Sequence, residues 1–229
     1  MKTIGILGGM GPEATADLFL RIIRLVPAAR DQDHPRVIID SNPQIPDRTA
    51  AIRGEGPSPL PALVETARNL ERAGAQLIAM PCNSAHAWYD PLAAAVGVPV
   101  LHMIRLTAQE TARRVEGRGP VLLLATTGTV QSGLYQQACG ELGLDVQVPA
   151  PDHQARVMEA IYLVKAGKAA TARPLALEVI AAESARLRPA AIILGCTELP
   201  LVVRPDDVEE PLVDSTDVLA RAAVQAALG

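Results

Sequence analysis

The stretch Ala75-Gln-Leu-Ile-Ala-Met-Pro-Cys-Asn-Ser-Ala-His86 joins an apolar run to a cysteine and two small polar residues. The same plan returns in Ala190-Ala-Ile-Ile-Leu-Gly-Cys-Thr-Glu-Leu-Pro-Leu201. Each copy predicts a buried strand with a thiol at its C-terminal end. Ligands of open α/β sheets bind beyond the carboxyl ends of the strands. Cys82 and Cys196 are therefore candidates for one common pocket.

Outward from these two stretches, short apolar runs alternate with segments of helical periodicity. The predicted strands are Thr3–Leu7, Arg36–Ile39, Leu77–Met80, Pro99–His102, Val121–Ala125, Asp145–Val148, Ala191–Leu194 and Pro211–Val213. The predicted helices are Ala14–Val26, Leu60–Ala73, Ser84–Val96, Leu106–Val115, Gly133–Leu142, Asp152–Ala166, Ala170–Arg186 and Ser215–Leu228. Turns are predicted at Gly117–Pro120 and Thr126–Thr129, and residues 42–61 form a loop long enough to be functional.

The spacing of these motifs indicates an internal duplication. Gly8, in the turn after the first strand, precedes Cys82 by 74 residues, and Thr126 precedes Cys196 by 70. Alternating strands and helices favour mostly parallel sheets. We therefore predict an α/β protein of two similar three-layer αβα domains with four-stranded sheets, related by a pseudo-dyad. The first domain comprises residues 1–97 and 215–229 and the second residues 98–214, with the active site at the domain interface.

The composition restricts the class of protein. The chain has 229 residues, a net charge of −4 and only 2% aromatic residues, so the core must be aliphatic. No basic patch suggests nucleic acid or a membrane surface as a partner. Apolar runs fall short of the ~18 residues of a spanning helix. Met1-Lys2 leads directly into a strand without a signal peptide, which favours the cytoplasm. Three cysteines in a reducing compartment argue against disulfides.

Two thiols at equivalent points of a duplication suggest a definite reaction. The N-terminus of a helix favours thiolate, and polar residues suited to begin a helix follow both cysteines. If one thiolate removes a proton from a stereocentre, the opposing thiol can protonate the other face, which inverts configuration. Two near-attack contacts of about 3–3.5 Å would place the sulfurs roughly 7–8 Å apart.

Other residues are candidates for holding the substrate. The carbanion needs hydrogen-bond donors around its carboxylate, and these can be backbone N–H groups and side chains of the polar turns. Those side chains are Asn83, Ser84, Thr126, Thr127 and Thr197. Arg48 suits a bidentate carboxylate clamp. Met10 could contact substrate or simply pack, and Glu198 is either an acid at a helix start or a partner of the Cys196 thiol.

Four motifs resemble those of the aspartate/glutamate racemases, in particular the aspartate racemase branch, over nearly the whole chain. They are Ile4-Gly-Ile-Leu-Gly-Gly-Met-Gly-Pro-Glu-Ala-Thr15, Ser41-Asn-Pro-Gln-Ile-Pro-Asp-Arg-Thr49, Met80-Pro-Cys-Asn-Ser-Ala-His86 and Leu194-Gly-Cys-Thr-Glu-Leu-Pro-Leu201. The resemblance implies two α/β domains, a homodimer and catalysis without pyridoxal phosphate or metal. It also implies that Cys82 and Cys196 are the two bases.

The resemblance assigns further residues to an amino-acid substrate. It implies that Arg48 and Lys165 hold its side-chain carboxylate, and that Asn83, Ser84 and Thr127 hold the α-carboxylate region. Ser84 stands where threonine is usual and keeps the hydroxyl. Aspartate is the first expected substrate and glutamate the second.

Several alternatives stay open. A broad-specificity amino-acid racemase, or a maleate isomerase, hydantoin racemase or arylmalonate decarboxylase, would use the same scaffold. A non-catalytic sensor of small carboxylates would need the cysteines only for structure. His86 is expected to pack or cap, although a Cys82–His86 pair is possible, and Cys139 is expected to be structural. The scattered histidines lack the spacing of a zinc site.

Overall fold

The computed structural model of the chain describes residues 1–115 and 119–229. The predicted turn Gly117–Pro120 lies partly outside these residues. The strands are β1 (Ile4–Gly8), β2 (Val37–Ser41), β3 (Leu77–Ala79), β4 (Val121–Ala125), β5 (Val146–Gln147), β6 (Ala191–Gly195) and β7 (Leu212–Asp214). The α-helices are α1 (Pro12–Leu25), α2 (Arg48–Ile52), α3 (Leu60–Arg72), α4 (Tyr89–Ala93), α5 (Met103–Val115), α6 (Thr127–Gln131), α7 (Leu134–Gly140), α8 (Pro151–Lys165), α9 (Ala169–Leu187) and α10 (Ser215–Leu228).

The chain divides into two compact units. The first comprises Met1–Met103 with Thr216–Gly229, and the second comprises Ile104–Ser215. The domain limits predicted from the sequence were 97/98 and 214/215, whereas the units divide at 103/104 and 215/216. The closing helix α10 lies almost entirely in the first unit, where Lys2 N–H donates to the Ala227 carbonyl over 2.8 Å.

The first unit contains a parallel sheet in the order β2-β1-β3. All five residues of β1 are buried, so both faces of this central strand are covered. One face packs against the apolar side of α3, through Leu63, Ala67 and Leu70. The turn that leaves β1 requires glycine at position 9. Its φ is +93°, and a Cβ there would lie 2.3 Å from the backbone carbon of Asn42.

The second unit contains a parallel sheet in the order β5-β4-β6-β7. The central strands β4 and β6 are completely buried, and α8 and α9 supply much of the aliphatic core on one face. Leu122 and Leu124 of β4 contribute to this core together with Ile192 and Leu194 of β6. The α/β class with parallel sheets, predicted from the alternating pattern, is therefore confirmed.

Both sheets follow the same strand order. In the first unit, Val100 forms an isolated parallel bridge to Ile78 of β3, so a fourth segment lies beside β3 as β7 lies beside β6. Counted within each half of the chain, the order is second, first, third, fourth in both units. Each cysteine of interest follows the third strand, which supports the duplication inferred from motif spacing.

Four local predictions were wrong. The predicted strand Pro99–His102 is reduced to the bridge at Val100, because α5 begins at Met103. The predicted helix Ser84–Val96 is a 3-10 helix, Ser84–Trp88, followed by the short α4. Residues 42–61 are not simply a loop, since they contain α2, and the predicted turn at Thr126–Thr129 begins α6. Side-chain caps, which hydrophobic periodicity does not register, begin both of these helices: Asp47 accepts from Ala50 N–H, and Thr126 from Thr129 N–H.

The helices of the described ranges 1–115 and 119–229 include none with the length and hydropathy needed to cross a membrane.

Candidate active site

Strand pairing positions each cysteine beside the end of the neighbouring central strand. In the second unit Ala125 pairs with Gly195, so Thr126 and Cys196 leave their strands side by side. In the first unit Ile6 pairs with Ala79, three residues before Cys82. Each sheet therefore presents one cysteine at the carboxyl edge, where α/β proteins bind ligands.

Cys82 is buried within an apolar cluster that also contains Met10 and Ile45. Its Sγ lies 3.6 Å from Ser84 Oγ, and its backbone N–H donates to the Met80 carbonyl over 2.9 Å. Asn83 and Ser84 are also buried, so the polar residues after the cysteine line the interior of the unit rather than its surface. Three of the predicted site residues, Met10, Asn83 and Ser84, are thus buried close to Cys82.

His86 fixes the backbone on which Cys82 is carried. Its Nε2 accepts the Met103 N–H over 3.0 Å, so Nδ1 carries the proton and donates to the Cys82 carbonyl over 2.8 Å. Burial, the dominant cause, lowers the pKa of His86 to about 4. The sequence favoured packing or capping for His86 and kept a Cys82–His86 pair as the alternative, and the neutral ring in fact bonds to the Cys82 backbone carbonyl and holds it in place.

This buried histidine predicts a pH dependence of stability. Between its unfolded pKa of about 6.5 and its folded pKa of about 4, the unfolded chain binds the extra proton. The contribution of His86 to the free energy of unfolding is therefore fully present above pH 6.5. It should decrease by about 3 kcal/mol as the pH falls to 4. Urea titrations at a series of pH values measure this decrease, and we expect it to be absent in His86→Gln. His34→Gln, at a half-buried histidine of the same unit, should keep it. Equal pH profiles for wild type and His86→Gln would contradict the prediction.

Arg48 is the first residue of α2 and is 9% exposed. Its Nη1 donates to the carbonyls of Ile45 and Pro46 over 3.0 and 2.9 Å. Its Nε is buried without a hydrogen-bond partner in the described part of the chain. No carboxylate of residues 1–115 and 119–229 forms an ion pair with this guanidinium, although buried charges are ordinarily paired.

Arg48 also belongs to the surroundings of Cys82. Helix α2 packs against the 3-10 helix Ser84–Trp88, and the carbonyl that Arg48 binds at Ile45 belongs to a residue of the Cys82 cluster. The first unit thus combines a buried thiol with a buried cation that has no anionic partner among the described residues.

Cys196 belongs to the aliphatic core of the second unit, but two charged side chains act on its thiol. Its Sγ donates a hydrogen bond to Glu198 Oε2 over 2.9 Å, and Thr197 Oγ1 donates to the same oxygen over 3.3 Å. Lys165 Nζ lies 3.9 Å from Glu198 Oε1. Burial raises the pKa of the Cys196 thiol well above its usual range, and the nearby Glu198 charge raises it further, while Lys165 opposes this effect.

Thr126 and Thr127 follow β4. The Thr126 hydroxyl caps α6 and lies 3.0 Å from Thr129 Oγ1. The Thr127 hydroxyl accepts from Gln154 Nε2 over 3.4 Å, and the same amide donates to the Ala125 carbonyl over 3.0 Å. Gln154 is a residue that sequence reasoning missed, because only the packing of α8 against β4 shows that it supports this turn.

One explanation offered for thiol reactivity was wrong. Neither cysteine precedes a full α-helix, because the segments that follow are the 3-10 helices Ser84–Trp88 and Leu199–Leu201. Asn83 and Glu198 occupy their N-cap positions without making a side-chain capping bond. A helix dipole therefore does not account for acidity of these thiols, and at Cys196 the surroundings favour the protonated form.

Cys139 differs from the two strand-end cysteines. It is buried in α7, and burial alone raises the pKa of its thiol to about 11. Among residues 1–115 and 119–229, no charged side chain acts on its thiol as Glu198 acts on Cys196, and the sequence predicted a structural role for it. Within residues 1–115 and 119–229, no three His, Cys, Asp or Glu side chains converge as metal ligands would.

Comparison with known proteins identifies the family. The family model for Asp/Glu/hydantoin racemases matches residues 7–223. The chain belongs to this racemase family. The resemblance carried by the four sequence motifs is thereby confirmed, and the protein is an enzyme, a racemase of this family.

Individual relatives cover almost the whole racemase chain. The broad specificity amino-acid racemase RacX of Bacillus subtilis is 30% identical over 228 residues, which cover 96% of each chain. The aspartate racemase of Picrophilus torridus has a similar structure, with a TM-score of 0.88 and 33% identity over 99% of this chain and 94% of the relative. The glutamate racemase isoform RacE1 of Bacillus anthracis has a similar fold, with a TM-score of 0.71 and 18% identity. The match covers 98% of this chain and 80% of the RacE1 chain, and it supports the fold alone.

Proposed function

We propose that this racemase acts on acidic amino acids, aspartate first and glutamate second, without a cofactor, and that Cys82 and Cys196 exchange the α-proton. The observation that carries the proposal is the equivalent placement of two buried cysteines. Each follows the third strand of a sheet with the same strand order, and each has polar side chains beside it. Similarity to an aspartate racemase at 33% identity supports the choice of substrate.

The proposed reaction divides proton transfer between the two thiols. The thiolate of one cysteine takes the α-proton, and the electron pair of the broken C–H bond remains on the substrate carbon. The thiol of the other cysteine then donates its proton to the opposite face, which forms the new C–H bond and leaves a thiolate. This reaction requires the two sulfurs to meet opposite faces of one carbon, so inversion of configuration is the signature to be measured.

Weak acidity of the α-carbon is the chief chemical obstacle. The carbanion is stabilised only if hydrogen-bond donors already surround the carboxylate that becomes enediolate-like. We propose that Asn83, Ser84, Thr126, Thr127 and Thr197, with nearby backbone N–H groups, supply them. Met10, buried in the Cys82 cluster, would pack beside the substrate.

Arg48 is proposed as the main partner of the substrate's side-chain carboxylate. A buried guanidinium with an unused Nε and no carboxylate partner within the described ranges would gain most from an anionic ligand. Lys165 is a second candidate, because about a third of its side chain is exposed although Nζ lies 3.9 Å from Glu198. A cation that binds the side-chain carboxylate would favour dicarboxylic amino acids over neutral ones.

A broad-specificity racemase is the second candidate function, favoured by the 30% identity with RacX. A homodimer and a cytoplasmic location, like the absence of nucleic-acid and membrane partners, stay predictions.

Incubation with single enantiomers in deuterated water tests the proposed function. L-aspartate should yield D-aspartate that carries deuterium at the α-carbon, because the new proton comes from a solvent-exchanged thiol. A panel with glutamate, alanine, serine and lysine separates the acidic from the broad reaction. Comparable rates for neutral and acidic substrates would support the broad reaction. Absence of both inversion and α-deuterium across the panel would overturn the racemase proposal.

A further inference from the structure

The second unit connects Cys196, Glu198 and Lys165 in one chain of contacts. Glu198 Oε2 accepts the thiol hydrogen bond over 2.9 Å, and its other oxygen, Oε1, lies 3.9 Å from Lys165 Nζ. Glu198 is 3% exposed and Cys196 is 5% exposed, so little water screens the carboxylate from the sulfur. Within residues 1–115 and 119–229, no carboxylate makes a comparable contact with Cys82, whose Sγ instead lies 3.6 Å from Ser84 Oγ.

We propose that Glu198 holds Cys196 as the protonated thiol in the resting enzyme, so that Cys196 begins the cycle as the proton donor, and that Lys165 limits this effect. The inference rests on the proposed function for its role in turnover. Glu198 would then be a positioning residue that acts through Cys196, and Lys165 would act on the thiol besides any contact with substrate.

Geometry and charge support the assignment. A thiolate at Cys196 would lie beside a buried carboxylate, and two like charges at hydrogen-bond distance disfavour ionisation. The protonated thiol instead donates a charge-assisted hydrogen bond to the same oxygen. Lys165 stabilises negative charge in this cluster, so its removal should have the opposite effect to removal of the Glu198 charge.

The other groups around the thiol do not replace this pair. Strand β4 and the 3-10 helix Leu199–Leu201 carry no ionisable side chains. Strand β7 contributes Asp214, which pairs with Leu194, two residues before Cys196. The charges that act on the thiol are Glu198, from its own segment, and Lys165, from the end of α8.

The inference gives the reaction a starting direction. If Cys196 begins the cycle as the proton donor, Cys82 is the base that takes the α-proton, and Cys196 gives its own proton to the other face. Turnover leaves Cys82 as thiol and Cys196 as thiolate beside Glu198. Because Glu198 disfavours the Cys196 thiolate, Cys196 regains a proton from water, and Cys82 releases one to solvent before the next turnover in the same direction.

Thiol ionisation in a single-cysteine protein tests the inference without any need for activity. In the full chain with Cys82→Ser and Cys139→Ser, Cys196 is the remaining cysteine of three. The rate of its alkylation by iodoacetamide, followed against pH, reports its thiolate fraction, and ultraviolet absorbance of the thiolate provides a check that needs no reagent access. Glu198→Gln should increase the rate at pH 8 by about tenfold, a shift of one pKa unit. Lys165→Met should decrease it several-fold.

Matched variants exclude a general loosening of the fold. Glu159→Gln and Lys168→Met change exposed charges at or near α8 and should leave the profile unchanged. Glu198→Asp keeps the charge and should restore most of the wild-type profile. An unchanged profile in Glu198→Gln, or shifts of the same sign in Glu198→Gln and Lys165→Met, would overturn the inference. Because the experiment measures thiol ionisation and not turnover, the inference about Cys196 can be contradicted while racemisation is observed. It can equally be supported while racemisation is absent.

Discussion

Cys82→Ser and Cys196→Ser should each reduce the rate of aspartate racemisation by about 100- to 10,000-fold, the usual contribution of a positioned acid or base. Serine keeps the shape of the side chain but its hydroxyl is a far weaker acid than a thiol. Inversion requires both proton transfers, so removal of either thiol slows the whole reaction. The measurement is the change in optical rotation, or chiral chromatography, with each enantiomer as the starting substrate.

The same variants should separate the two half-reactions. The remaining cysteine can still remove and return the α-proton of the enantiomer whose C–H bond faces it. We therefore expect α-deuterium exchange without inversion, with one enantiomer in Cys82→Ser and with the other in Cys196→Ser. Cys139→Ser is the control, because this thiol lies buried in α7 and should leave both rates unchanged. Persistent racemisation in either single variant would argue against two-base catalysis by these residues.

Arg48→Met should lower kcat/KM for aspartate by about 30- to 5,000-fold. Truncation of one partner of a buried, hydrogen-bonded charge pair costs about 2–5 kcal/mol, which corresponds to that range. The guanidinium is held by the Ile45 and Pro46 carbonyls and has no carboxylate partner within residues 1–115 and 119–229, so its missing contact is assigned to substrate. Kinetics with aspartate and alanine measure the loss, which should be much smaller for alanine.

Arg53→Met provides the matched control for this prediction. Arg53 directly follows α2 and forms an exposed ion pair with Glu55 over 2.8 Å. Exposed pairs of this kind contribute little, so kcat/KM should change less than twofold. Equal losses for aspartate and alanine in Arg48→Met would indicate that Arg48 supports the fold of the Cys82 region and does not recognise the second carboxylate.

The residues that follow the two cysteines differ despite the duplication. The residue two positions after Cys82 is Ser84, whereas the residue two positions after Cys196 is Glu198. Of these two side chains only the carboxylate of Glu198 repels a thiolate, and it raises the pKa of the Cys196 thiol. The repeat thus preserves the position of each sulfur and differs in the group that sets its protonation.

The order of the elements and the place of both cysteines followed from sequence, because the relevant signals are local. Apolar runs such as Val121–Ala125 cannot remain in water and must become buried strands. Strand-to-cysteine spacing then predicted the duplication, and motifs such as Met80–His86 predicted the racemase family. Short elements such as α2 were missed, since five residues carry too little periodicity to be recognised.

Tertiary structure decided what each polar side chain contacts. The bond of His86 to the Cys82 carbonyl, the support of Thr127 by Gln154 and the contact of Glu198 with Lys165 were not predictable from spacing. For Glu198 the sequence offered two alternatives, and the structure shows the contact with the Cys196 thiol. Lys165 and Glu198 are 33 residues apart and meet only because α8 packs beside the segment that follows β6. Hydrophobic patterning specifies which faces are buried, but the partners of a buried charge depend on how distant elements pack, and those partners determine its protonation.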